Sequence, residues 1–176
     1  MTTFLLIGTI FLLVLQIPII FFLVLVIRSL NIVFQQAMST AGIGIGRSIP
    51  KFERKSLTSD NVISNEWIKG KPALIGFVSH SCKRCKAMLP FWNEAYEQHH
   101  QDINFLLIGH GSQEQFAKML QTQKVMGELV PGKDLFNDFK SKLVAFAYYV
   151  DADGKIVRKG LCENKDEIEG LLGVEG

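Results

Sequence analysis

The chain has 176 residues, 48% of them hydrophobic, which is enough for one compact domain of ordinary size plus a separate apolar segment. Its formal net charge of +2, with no basic stripe interleaved with aromatics, leaves nucleic-acid binding without a basis.

The apolar excess lies at the N-terminus. No charged side chain occurs from Thr2 to Ile27, a run that as a helix extends roughly 40 Å against a hydrocarbon core of roughly 30 Å. It is longer than the apolar stretch of a cleaved signal peptide and has no basic start, so a retained transmembrane anchor is expected over residues 1–30. The basic residues near it, Arg28, Arg47, Lys51, Arg54 and Lys55, all follow the span, and by the positive-inside rule alone they keep the remainder in the cytoplasm. "QQAMSTAGIGIGRSIP" is then rich in small residues, with glycines alternating at 42, 44 and 46, and reads as a linker over 31–45.

From residue 46 to 176 apolar runs alternate with amphipathic segments, the pattern of an α/β domain. "PALIGFVS" (72–79) and "INFLLIGHG" (103–111) suit buried strands, and the segment from Cys82 to Gln98 between them has helical spacing, with Met88, Leu89, Trp92 and Tyr96 inward. Together they predict a βαβ unit. "SQEQFAKMLQTQKV" begins a second helix with a Ser112/Gln115 capping box. "LVAFAYYV" and "DADGKIVRKG" predict a hairpin turning at Asp153-Gly154, and "NKDEIEGLLG" a short last helix capped by Asn164 or Asp166, with Ile168, Leu171 and Leu172 inward.

Cys82 and Cys85 stand two residues apart where the first helix follows its strand. There the free N–H groups of the first turn favour a thiolate on Cys82, while Cys85 lies one turn in and is shielded. Such a pair can run thiol–disulfide exchange, Cys82 as nucleophile and Cys85 as resolver. Lys83, Arg84 and Lys86 add positive field, which favours the reduced thiolate and inclines the couple towards oxidant or isomerase. The same sulfurs could instead hold a soft metal, with His80 or His110 as a further ligand, in a copper or zinc chaperone. His80 reads equally as a proton shuttle or as a solvated loop residue. A domain that docks to a partner without chemistry is a third reading. Cys162 needs no role beyond that of a packed small apolar residue. "GIGIGRS" lacks the strand-to-helix context of a dinucleotide site, and neither a cofactor nor a resident metal is expected.

"GKPALIGFVSHSCKRCKAMLP" resembles the active-site segment of the membrane-anchored TlpA-like thioredoxin-fold family: a GKP lead-in, a buried strand, C-x-x-C, then Lys86 and Pro90. "IGRSIPKF" resembles that family's entry segment, and "YYVDADGKIVRKGLCENKDEIEGLL" resembles the end of its methylamine-utilization branch, MauD. The resemblance implies a thioredoxin-like fold, a mixed central sheet flanked by helices, in residues 46–176, and a disulfide oxidoreductase with Cys82 and Cys85 as its couple. It further implies a single-pass anchor in the lipid bilayer, an extracytoplasmic domain, protein substrates with thiols or disulfides, and a membrane redox partner. Two positions depart from the family pattern. Ala145 takes the slot of the usual cis-proline, and Gly76 that of an acid in the first strand. A cis bond before a non-proline residue costs about 2.5–4 kcal/mol, so Val144-Ala145 is expected to be trans. Ala145 is also expected to leave space beside the sulfurs, which a proline would fill without harm to exchange.

Overall fold

The computed structural model describes the backbone of residues 2–173 and the side chains of 15–33 and 40–173. Two compact units divide between Thr40 and Ala41. The first is the helix α1 (Thr2–Thr40). Its stretch Leu15–Val33 is long and apolar enough to cross a membrane, and every side chain along it is exposed. The helix continues through residues 31–40, which the sequence reading gives to the linker, because "NIVFQQAMST" contains neither glycine nor proline and nothing stops a helix before Gly42.

The second unit opens with a small antiparallel pair, β1 (Glu53–Lys55) and β2 (Val62–Ser64), and a single turn, α2 (Asn65–Ile68). Then follow β3 (Ala73–Ser79), α3 (Lys83–His99), β4 (Asn104–His110), α4 (Gln113–Leu120), β5 (Glu128–Pro131), α5 (Lys133–Asp138), β6 (Phe146–Val150), β7 (Ile156–Leu161) and α6 (Lys165–Leu172). Five strands make the main sheet in the order β5-β4-β3-β6-β7. β3 pairs parallel with β4, and β4 with β5, while β6 runs antiparallel to both β3 and β7.

The predicted βαβ unit, hairpin and last helix are all present. β3 is central because six of its seven residues are buried, so both of its faces need cover. Helices α3 and α6 cover one face, with Met88, Leu89 and Trp92 meeting Ile168, Leu171 and Leu172. Phe52, Phe77, Phe136, Phe139 and Tyr148 fill the other. Ser112 and Gln115 form the expected reciprocal cap of α4, and Asn164 accepts Glu167 N–H at 3.0 Å to cap α6. Residues 41–45 are not a free linker: Ile43 N–H donates to the Tyr148 hydroxyl at 2.9 Å, and Lys159 Nζ donates to the carbonyls of Ala41 and Ile43 at 2.6 and 3.1 Å.

Candidate active site

The two sulfurs sit where β3 hands over to α3. Cys82 is the helix N-cap, extended at φ −77° and ψ 118°, and its Sγ accepts the Cys85 N–H at 3.2 Å. That bond satisfies one of the free donors of the first turn with a sulfur instead of an oxygen. Cys82 N–H in turn donates to Ser79 O at 3.1 Å, which fixes the cap against the end of the strand. Cys82 is partly exposed, whereas Cys85, one turn in, is 2% exposed. Neither is in a disulfide. Burial, and then a hydrogen bond to Cys82, push the Cys85 thiol up to about 12, against a smaller opposing pull from the backbones of Ser79 and Ala145.

Ala145 lies in the opposing loop. No cis peptide occurs among the described residues, and Ala145 adopts φ 52°, a left-handed conformation unusual for a residue with a Cβ. Its N–H donates to Phe77 O at 2.8 Å, and its carbonyl accepts Cys162 N–H at 2.9 Å. The space expected beside the sulfurs is filled: Ala145 is fully buried in one cluster with Cys85, Met88 and Cys162, and Cys82 and Val144 pack against it. Nor is a proline harmless there, since its ring holds φ near −65° and it has no N–H for Phe77.

The other candidates separate. His80 is turned along the sheet edge, with Nδ1 at 3.4 Å from His110 O and its ring edge-on to Phe116 at 6.0 Å. Gly111 makes room for it, as a Cβ there would meet His80 Nδ1 at 2.7 Å. His110 packs edge-on to Phe136 at 5.2 Å. Among the described residues no three His, Cys, Asp or Glu side chains gather to hold one metal ion. Cys162 is fully buried, with Sγ at 3.7 Å from Met88 Sδ, and burial followed by the charges of Cys85, Glu167 and Glu163 pushes its thiol well above the ordinary value. It packs as a small apolar residue. Lys83 is exposed, and Arg84 is not an isolated charge: its Nη1 pairs with Glu163 at 3.3 Å. Glu163 escaped the sequence reading because nothing in its neighbourhood marks a residue that β7 delivers to the first turn of α3.

The AhpC/TSA family matches residues 45–168. This chain belongs to that family. The AhpC/TSA match coincides with the second compact unit and leaves α1 outside it. Among curated relatives of this family member, the methylamine utilization protein MauD of Methylophilus methylotrophus is 27% identical over 155 residues, 84% of this chain and 72% of the relative. The thiol-disulfide oxidoreductase ResA of Bacillus cereus is 24% identical over 133 residues, 73% of this chain and 76% of ResA. The solved thioredoxin domain of a thiol-disulfide oxidoreductase from Bacteroides vulgatus superposes with a TM-score of 0.64 at 21% identity, covering 73% of this chain and 97% of that one. The fold is thioredoxin-like, as the resemblance implied.

Proposed function

We propose that this protein is a membrane-anchored thiol–disulfide oxidoreductase whose Cys82–Cys85 couple exchanges disulfides with protein substrates on the outer side of the membrane. The observation that carries the reading is the asymmetry of the pair, an accessible sulfur at the helix cap and a buried one a turn behind it. In the oxidising direction a substrate thiolate attacks Cys82 Sγ in the Cys82–Cys85 disulfide, the S–S bond breaks, and Cys85 leaves and takes a proton. A second substrate thiolate then attacks the substrate sulfur joined to Cys82. The substrate disulfide closes, Cys82 leaves as thiolate, and the protein has gained two electrons. A membrane redox partner of dithiol or quinone chemistry would take those electrons away. The reverse sequence reduces a substrate disulfide through the same mixed disulfide.

The placement outside rests on chemistry, since the cytosol keeps most thiols reduced and an exported domain meets disulfides. The basic residues after the span oppose it less than their number implies, because Arg54 and Lys55 lie more than about 20 residues beyond Val33, outside the stretch that the rule counts, and a long domain translocates largely regardless of its charge. Cells expressing Cys85→Ala test both parts: this variant should accumulate mixed disulfides with partner proteins, and Cys82→Ala should trap few. A membrane-impermeant maleimide added to intact, reduced cells should block the trapping. Equal trapping by both variants would overturn the assignment of roles, and blocking only after lysis would place the domain inside.

A further inference from the structure

The exposed charge on the turns that carry the couple is mostly positive. Lys83, Arg84 and Lys86 are exposed on the first turns of α3, and Lys142 is exposed three residues ahead of Ala145, whose backbone reaches Cys85. The first turns of α3 therefore present cations beside the sulfurs, and the chain leading to Ala145 carries a further one. Glu163 answers Arg84 alone, and among the described residues no carboxylate lies within ion-pair reach of Lys83, Lys86 or Lys142. The other ion pairs lie beyond the first turns of α3: Lys165 with Glu94 at 2.7 Å joins α6 to the middle of α3, and Lys69 pairs with Glu66 at 2.6 Å beside α2.

From this we infer that the cationic rim selects substrate proteins whose reacting cysteine is flanked by carboxylates. The inference rests on the exchange reading above. A chain whose sulfur reaches Cys82 brings its neighbouring residues within about one Debye length, roughly 8–10 Å at ordinary ionic strength, of the rim. There, unlike charges raise the encounter rate and like charges lower it. Selection then comes as much from rejecting basic segments as from attracting acidic ones.

The test uses the full, oxidised chain in a neutral detergent and three peptides of equal length, each with one cysteine flanked by glutamates, serines or lysines. Two peptide thiols become one peptide disulfide as Cys82 and Cys85 take up two electrons and two protons. Rates are compared after normalising each thiol against a neutral small-molecule disulfide. At low salt the acidic peptide should react about tenfold or more faster than the neutral one, with the basic peptide slower still, and the spread should shrink as salt is raised. Lys86→Glu/Lys142→Glu should narrow or reverse the order, read as each peptide's rate divided by that of the serine peptide, so that a change in the couple's own reactivity cancels; far-UV circular dichroism shows that the variant is folded. Equal rates for all three peptides would overturn the rim proposal alone. No exchange with any of them would overturn it together with the oxidoreductase reading. Peptide rates that do not differ, combined with binding of the wild type but not the variant to phosphatidylglycerol vesicles, would assign the rim to a lipid surface instead.

Discussion

Cys85 sets how long a mixed disulfide on Cys82 survives. Resolution needs the Cys85 thiolate, and a thiol pushed up to about 12 holds its proton at neutral pH. Burial, the largest cause, persists when Cys82 is joined to a substrate. The strand position where the wider family often has an acid holds Gly76, which can take no proton. The rate of release from a Cys82 mixed disulfide should therefore climb about tenfold per pH unit, without a plateau, from neutral pH to beyond pH 9. A coloured aryl thiol loaded on Cys82 and followed by stopped flow measures this, and a plateau near pH 7 would mean that a base had been missed. Linkage carries the same shift into stability. The folded pKa lies above the ordinary 9.0, so the stabilisation is complete below about pH 9 and is lost as pH rises towards 12 in the reduced protein.

At the scale of elements, β3 explains why Gly76 stands where it does. A Cβ on Gly76 would lie 2.7 Å from Leu107 Cδ2 and 3.0 Å from the Trp92 ring, and Trp92 is pinned by its Nε1–H bond to Met126 O at 3.1 Å. The missing acid is thus a packing solution, with the indole occupying the room that a carboxylate would need. Gly76→Ala should cost about 1–3 kcal/mol by overpacking, and Gly76→Asp more, in urea unfolding of residues 41–176. A Gly76→Ala protein as stable as the wild type would refute this account. The elements legible in the sequence were those with long signals: β3 and β4 as unbroken apolar runs, α3 and α6 by inward spacing, and the β6–β7 hairpin by Asp153-Gly154. β1, β2, α2, β5 and α5 give no such signal, and each is only 3 to 6 residues long. Partners far along the chain hold them instead. Glu128 on β5 accepts Ser59 Oγ at 2.7 Å and Asn61 Nδ2 at 3.0 Å from the β1–β2 turn; although burial opposes its charge, these donors and the hydroxyls of Ser56 and Thr58 keep its carboxyl below the usual range. Such tertiary bonds leave no local periodicity. Within the site the sequence located the dithiol and the Ala145 loop, but not the left-handed turn at Ala145 or the reach of Glu163, both of which depend on how β6 and β7 pack beside α3.

For the molecule as a whole, the main difference from the sequence reading is where the domain begins. Gly42 and Gly44 end the helix, and from composition their neighbourhood reads as slack. Gly42 in fact takes φ 69° and lets the chain pass directly beneath the Tyr148 hydroxyl, which donates onward to Phe139 O at 3.0 Å. Ala41 and Ile43 pack against the core on that face, and Lys159, whose charge is disfavoured by burial, donates to both of their carbonyls. A fragment beginning at Gly46 loses these three hydrogen bonds and leaves Lys159 half-buried without those two acceptors. At about 1 kcal/mol for each net hydrogen bond, tempered by the entropy that the released residues regain, a fragment of residues 41–176 should be about 2 kcal/mol more stable than one of 46–176, and its Tm several degrees higher. Lys159→Met should narrow that difference by destabilising the longer fragment more than the shorter. Scanning calorimetry on the four proteins decides it: equal melting of the two fragments would mean that residues 41–45 only rest on the domain, and that the slack tether read from composition was right.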